Sequence, residues 1–186
     1  MKLSPIPVLV IGIVLVATAF WAGIRISAPG PEPSVTGHPL PPESGRPHRE
    51  SIYLYFVNPA SEFLSAETRE IPLAGNARER ARTILEALIT GPSGNGVSPI
   101  PDGTRLLALY MENDMIILDF HPDIREKHPG GSHGELHTIY ALVNSLVLNV
   151  PEIRKVKILI AGQEQDTLAG HIDIRHPLTA NMMIVR

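Results

Sequence analysis

The sequence of 186 residues contains no cysteine. This absence excludes disulfide bonds, thiolate metal sites and thiol nucleophiles, and it removes the residue that a lipoprotein acylates for membrane attachment. Aromatic residues make up only 5% of the chain, which argues against a glycan-binding surface built from exposed rings. The formal net charge is −3, and no cluster of basic residues indicates a nucleic-acid partner.

An uncharged, mostly aliphatic run covers residues 6–24. As a helix that rises 1.5 Å per residue, it would be about 28 Å long, close to the roughly 30 Å thickness of the hydrocarbon core. Trp21, near its outer end, suits the headgroup level. The run predicts a single-pass transmembrane anchor within residues 1–26. This anchor would contact membrane lipid and leave the bulk of the chain on the extracytoplasmic side of the cytoplasmic membrane.

A cleaved signal peptide is the alternative interpretation of the same segment. Ala17 and Ala19 form the A-x-A pattern of a cleavage site. The apolar run continues beyond that site to Ile24, which favours the uncleaved anchor. Both interpretations place the rest of the chain outside the cytoplasm, and the sequence leaves the choice open.

Residues 27–50 are predicted to be an extended linker. They contain seven prolines and three glycines, with few large aliphatic side chains. Such a composition cannot build a hydrophobic core, and proline-rich chain is semi-rigid. The linker would therefore hold a folded domain away from the bilayer.

A globular domain is predicted over residues 51–177, with a tail at residues 178–186. Apolar periodicity, caps and turn residues define its elements. Strands are predicted at residues 52–57, 63–73, 104–111, 115–120 and 155–160. Helices are predicted at residues 77–90 and from the cap Ser132 to the stop at Asn149 and Pro151, and a candidate last short strand at residues 168–174. The order ββαββαβ predicts an α/β (α+β) two-layer sandwich, with two helices on one face of a single mixed sheet.

The stretch of residues 134–162 organises this predicted domain. Apolar residues recur at helical spacing from Leu136 to Val147 and share one face. Ser132 and Glu135 have the spacing of a capping box, which predicts that they satisfy the first free amides of the helix. The strand that follows alternates apolar and polar residues, so its apolar face is expected to pack on the helix.

In its ordered set of motifs, the chain resembles the GerMN domain of sporulation and spore germination proteins. The matching segments are IYLYF at residues 52–56, TGP at 90–92, IPDGT at 100–104, ILDF at 117–120, LVNSL at 142–146, VKILI at 156–160 and LAGHID at 168–173. The resemblance implies a non-catalytic protein–protein interaction or assembly module of the cell envelope, linked to sporulation, germination or peptidoglycan machinery. The implied partners are other envelope proteins or further copies of the chain, and no catalytic residue or cofactor is implied.

His133 and His137 are weak candidates for a metal site. They are four residues apart, so they share one helix face. The zincin motif needs a glutamate directly after its first histidine, whereas Glu135 lies two positions on. His121, Asp123 and His128, in the preceding loop, could complete a site. A metal-assisted enzyme acting on peptidoglycan is therefore an alternative function, and glycan binding is another. The favoured interpretation is that these histidines lie at the beginning of a helix and bind no metal.

Asp119, His171 and Asp173 lie at predicted strand ends, where paired acids and histidines could transfer protons. The sequence offers no nucleophile to work with them. The favoured interpretation is that Asp119 accepts hydrogen bonds from backbone amides of the next loop along the chain.

Three surfaces are candidates for contact with a partner. They are a sheet edge, the glycine- and proline-rich loop at residues 93–103, and the tail. The tail carries an apolar run at residues 182–185, so it is predicted to be an added edge strand or a patch for a partner.

Overall fold

The computed structural model describes residues 48–186. The predicted anchor at residues 1–26 and nearly all of the predicted linker lie outside these residues. Between residues 48 and 186, no helix has the length and apolar character needed to cross a bilayer.

The first two strands form an antiparallel pair, as predicted. β1 covers Arg49–Val57 and β2 covers Leu64–Pro72. In β1, the buried residues Ile52, Leu54 and Phe56 alternate with more exposed ones, so one face of the pair joins the core.

Helix α1 covers Ala77–Thr90 and begins and ends at the predicted residues. The side-chain oxygen of Asn76 accepts a hydrogen bond from the amide of Glu79 at 2.9 Å, which satisfies one free donor of the first turn. Gly91 has φ 97°, a backbone conformation that glycine adopts without strain and that ends the helix.

Four strands form a second sheet in the order β3-β4-β5-β6. β3 covers Leu106–Glu112, β4 covers Met115–Phe120, β5 covers Lys155–Ile160 and β6 covers Gln163–Glu164. β4 lies between β3, with which it is antiparallel, and β5, with which it is parallel. This placement confirms the prediction that the most apolar strand is central.

Two helices lie between β4 and β5. A short helix, α2, covers Asp123–Glu126, and α3 covers Ser132–Val147. The apolar stripe of α3 packs in the core, as predicted. Its polar residues are buried too, with Thr138, Asn144 and Ser145 fully inaccessible to water. The helix is therefore enclosed on nearly all sides.

The prediction of one mixed sheet is wrong, because the fold is α+β with two separate sheets. The outer edge of β1 cannot receive another strand. Its backbone there bonds the side chains of Asn149 and Ser145 and the backbone of Val97. α3 and the segment after it thus close one edge of the two-stranded sheet.

The last part of the chain also differs from the prediction. Residues 168–174 form no strand, and only an isolated bridge joins Thr167 to Asp173. The tail is neither a regular edge strand nor a free segment. It makes a bridge from Leu178 to β5, a 3-10 turn at Met182–Ile184, and a parallel bridge from Val185 to β2.

Candidate interaction surface

Glu135 connects α3 to the loop before the tail. Its side chain is fully buried. One carboxylate oxygen accepts the amide of Ala169 at 2.8 Å, and the other accepts the amide of His171 at 2.8 Å. The predicted capping box is wrong, because Gly131 caps α3 without a side-chain hydrogen bond and Glu135 serves this distant loop instead.

The charge of Glu135 is stabilised by these bonds. Burial alone would raise the pKa of the carboxyl, but hydrogen bonds from the backbone amides of Ala169, Ile172 and His171 outweigh burial and lower the pKa below its ordinary value. The ring of His171 adds a contact at 3.3 Å. Glu135 is therefore a buried anion that holds the backbone of this loop in place.

His128 sits beside this cluster with both ring nitrogens engaged. Nδ1 accepts the amide of Gly130 at 2.9 Å, so Nε2 carries the proton and donates to the hydroxyl of Thr138 at 2.9 Å. Burial lowers the pKa of His128, and the nearby charge of Glu135 opposes that shift only in part. The ring is held neutral, as a structural connection between the loop and α3.

An open depression of about 460 Å³ lies next to His128. Arg125 lines it, but this guanidinium already donates to the carbonyl oxygens of Leu168 and Thr167 at 2.8 and 2.7 Å. The guanidinium of Arg125 thus holds the chain's own backbone.

The predicted metal candidates are close together, but one of them is already bonded to the backbone. The ring centroids of His133 and His137 are 5.5 Å apart. Nε2 of His137 is bonded to the carbonyl oxygen of Glu62 at 3.0 Å. His121 pairs with Asp123, away from this pair. Within residues 48–186, no three histidine, aspartate or glutamate side chains form a group that could hold a metal.

The predicted strand-end acids and His171 have separate partners. Asp119 accepts the amide of Gly162 at 2.8 Å. It orders a loop backbone, as predicted, but the loop is the one after β5 and not the next one along the chain. Asp173 pairs with Arg175 at 2.7 Å, and His171 contacts Glu135. The structure does not join these side chains into one acid–base site.

The tail is fixed across α3 by Asn144. Its amide nitrogen donates to the carbonyl of Asn181 at 3.0 Å, and its oxygen accepts the amide of Asn181 at 2.9 Å. Earlier, Leu178 bonds both backbone groups of Val156 at 2.8 Å. Residues 178–186 thus form a strap from the four-stranded sheet to the two-stranded sheet.

The end of the strap is fixed to β2. The amide of Arg186 donates to the carbonyl of Leu64 at 2.9 Å, and its guanidinium lies 4.1 Å from the centre of the Phe63 ring. Ile184 and Val185 pack on a small cluster of Tyr55 and Leu64.

Large hydrophobic side chains are exposed around the strap and the end of α3. Met183 is 87% exposed and precedes Ile184, which is anchored in the cluster. Met182 follows the fixed residue Asn181, and Tyr53 and Leu148 flank Asn149. We call Tyr53, Leu148, Met182 and Met183 the apolar patch. Exposed apolar groups on a rigid backbone are typical of protein contact surfaces.

The loop at residues 93–103 is more ordered than its composition predicts. The carboxylate of Glu67 accepts the amides of Ser93 and Gly94 at 3.0 and 2.9 Å. Gly96 lies against Phe56, and Val97 bonds Val57. Only part of this predicted contact surface is therefore free to adapt to a partner.

Sequence reasoning missed Asn144, Ser145 and Asn149 as determinants of the fold. Their spacing carried a signal, since Ser145 and Asn149 are four residues apart and lie on one side of the helix. Polar residues on a helix are usually interpreted as solvent-facing, so the spacing wrongly indicated an exposed side of the helix.

The sequence profile of the Germane family, described as sporulation and spore germination, matches residues 53–166, which is more than half of the chain. No curated protein matches the chain at a significant level.

Three solved structures are similar to this one. A candidate lipoprotein from Clostridium perfringens is 25% identical, with a TM-score of 0.52, over 70% of this chain and 87% of that one. The first GerMN domain of the sporulation protein GerM from Bacillus subtilis is 18% identical, with a TM-score of 0.53, over 70% of this chain and 97% of that one. The tandem GerMN domains of the same protein are 16% identical, with a TM-score of 0.55, over 71% of this chain and 46% of that one.

Proposed function

Because the chain belongs to the GerMN-domain family of sporulation and spore germination proteins, we propose that it is a non-catalytic assembly module of the cell envelope. Residues 1–26 anchor it in the cytoplasmic membrane. The domain lies on the extracytoplasmic side, where it binds other envelope proteins.

The observation that carries this proposal is the contrast between the polar and the apolar side chains of the domain. The buried polar side chains of Glu135, Asn144 and His137 bond the chain's own backbone. The residues of the apolar patch, by comparison, are 44–87% exposed, with Met183 the most exposed. Groups committed to backbone are poorly placed for chemistry, whereas exposed methionines suit a protein partner.

The similar proteins support a role in the cell envelope. The similar domain in GerM belongs to a sporulation protein, and the Clostridium perfringens relative is described as a lipoprotein. The present chain has no cysteine to acylate, so an apolar helix would replace the lipid as its anchor.

The partner test places a photoreactive residue at Met183 in the full-length chain and crosslinks it in cells. The matched control places the same residue at Glu112, which is exposed in β3. We expect one or two recurrent envelope proteins at position 183 and none at position 112. Capture of wall glycan in place of protein, or of no molecule at all, would contradict the assembly function.

A second measurement tests the anchor. The mass of the mature protein distinguishes an intact N-terminus from one cleaved after Ala19. Labelling of the otherwise cysteine-free chain, as Met183→Cys, with a membrane-impermeant maleimide tests which side the domain occupies. Failure to label in intact cells, with labelling after lysis, would contradict the extracytoplasmic placement.

A further inference from the structure

The two strands of the first sheet differ in how their outer edges are used. On β1, the amides of Tyr53, Tyr55 and Val57 point away from β2, and each is bonded, to Asn149, Ser145 and Val97 respectively. In an antiparallel pair, two directly opposed residues either both point their backbone N–H and C=O groups toward the partner strand or both point them away from it. The register therefore turns the backbone groups of alternate β2 residues outward as well.

On β2, these outward residues are Leu64, Ala66, Thr68 and Glu70, which oppose Val57, Tyr55, Tyr53 and Ser51. Within the described part of the chain, Leu64 has one such partner, since its carbonyl accepts the amide of Arg186. Among residues 48–186, no hydrogen bond reaches the outward groups of the other three, and all three residues are exposed. An open strand edge of this kind readily pairs with another strand.

We propose that this edge pairs with the β2 edge of a second copy of the chain, antiparallel and with its two-fold axis at Thr68. In this register Thr68 opposes Thr68 of the second copy, and Ala66 opposes Glu70 of the second copy. All three free residues of each strand then gain both backbone hydrogen bonds. A closed two-fold contact also uses up the edge, so no further chain can add.

Charge selects this register over its neighbours. With the axis at Thr68, Glu67 lies opposite Arg69 of the second copy on both sides of the axis. With the axis at Glu67, Arg69 or Glu70, like charges face each other, which destabilises a strand pair. With the axis at Ala66, Thr68 would have to bond Leu64, whose carbonyl already accepts the Arg186 amide.

The ends of the open edge set its length. At one end, the strap covers Leu64 through the bridge from Val185. At the other end stands Pro72, which has no amide to donate. The side chains of Glu67 and Arg69 bond each other, and they also bond the loop and the helix beneath the sheet. Their influence on the second copy is therefore electrostatic and involves no direct hydrogen bond. The contact is small, and we expect weak pairing in dilute solution.

This pairing deepens the proposed assembly function but does not depend on a foreign partner. If the chain is anchored as proposed, confinement to a membrane raises the effective concentration of the edges. Three residues of the apolar patch, Leu148, Met182 and Met183, remain free for a different protein, because they lie outside the first sheet. Tyr53 opposes Thr68 on the neighbouring strand and is next to the proposed contact.

Cysteine crosslinking of the full-length protein in isolated membranes tests the register. Thr68→Cys introduces the only thiol of the chain, directly on the axis, where opposed Cα atoms of a hydrogen-bonded pair are about 5.5 Å apart, within disulfide reach. The matched control is Ala66→Cys. Its two copies would be separated by four residues of strand, about 13 Å, which is too far for a disulfide.

We expect Thr68→Cys to give about tenfold more oxidised dimer than Ala66→Cys, since only the former meets the distance limit. The double variant Ala66→Cys, Glu70→Cys should recover the dimer. Adding Ala66→Pro to Thr68→Cys should reduce it, because the proline removes one donor of the new pairing while β2 keeps its bonds to β1.

Equal crosslinking at positions 66 and 68 would overturn the proposal, because it indicates random collision. Absence of a dimer at position 68 would overturn it too, whether residues 27–47 or another protein occupy the edge. The capture experiment at Met183 is independent, so loss of the self-pairing leaves the assembly function standing, and failure at Met183 leaves the pairing standing.

Discussion

The side-chain amide of Asn144 makes two hydrogen bonds to the backbone of one residue, Asn181, 37 positions further along the chain. The side-chain amide thus forms the same pair of bonds as a backbone unit in a strand. Its nitrogen donates to the carbonyl oxygen of Asn181, and its oxygen accepts from the backbone N–H of Asn181. Asn144 is fully buried while the strap is in place, so its side-chain amide depends on Asn181 and not on water for these bonds. The pair joins the enclosed helix to the last segment of the fold.

Replacement of Asn144 by alanine is expected to lower the free energy of unfolding by about 2–3 kcal/mol, because it removes two buried hydrogen bonds and leaves backbone groups unsatisfied. Denaturant titration measures the loss, and limited proteolysis should show earlier cleavage within residues 178–186. Asn149→Ala, which removes bonds to the backbone of Tyr53, is the matched comparison. It should destabilise the domain without exposing the strap, and strap cleavage in both variants would contradict a specific role of Asn144.

Glu135→Gln is expected to cost about 2–4 kcal/mol at neutral pH, because hydrogen bonds to a charged acceptor are lost and a new amide donor faces backbone amides. Since the pKa of Glu135 is lowered in the folded state, its contribution is present above the ordinary value of 4.5 and is lost as pH falls below that value. The stabilities of wild type and variant should therefore converge in acid. A constant difference down to pH 3 would show that the charge is not the stabilising feature.

His128 predicts a second pH dependence, in a higher range. Its pKa is lowered on folding, so the unfolded chain binds the proton more tightly, and stability falls as pH drops below the ordinary value of 6.5. His128→Asn keeps an acceptor for the amide of Gly130 but cannot titrate. Thermal unfolding between pH 7.5 and 5 should show a steeper loss for wild type than for this variant. Parallel curves would assign the pH dependence to other histidines.

Gly96→Ala is expected to destabilise the domain by about 1–3 kcal/mol, because an added methyl group overpacks a filled space. Its Cβ would lie 2.9 Å from the Cβ of Phe56, which is fixed in the core. Gly94→Ala is the control, since its Cβ would meet only the end of the Glu67 side chain at 3.4 Å. Equal unfolding midpoints for the two variants would contradict close packing at Gly96.

Local features of the fold could be predicted from the sequence. Asn76 and Gly91 mark the two ends of α1 because capping depends on the residues within one turn. β4 was predicted to be central because apolar residues on both faces need cover on both sides. Such arguments depend on neighbours in the sequence, and these neighbours stay neighbours in the structure.

The hydrogen bonds that polar side chains make to distant parts of the chain could not be predicted. Glu135 has the spacing of a capping box, yet its carboxylate bonds residues more than thirty positions away. Ser145 and Asn149 close the edge of β1 and so divide the expected single sheet into two. Spacing shows which groups are available, but the choice between a near and a distant partner depends on the packing of the whole domain.

The strap also sets the order in which the domain can be completed during synthesis. Ile184 and Val185, which cover Tyr55 and Leu64, are translated more than a hundred residues after them. A nascent chain therefore carries an uncovered apolar cluster until the strap has been translated. A truncated product would keep that cluster exposed, which gives chaperones and proteases a means of recognising an incomplete copy.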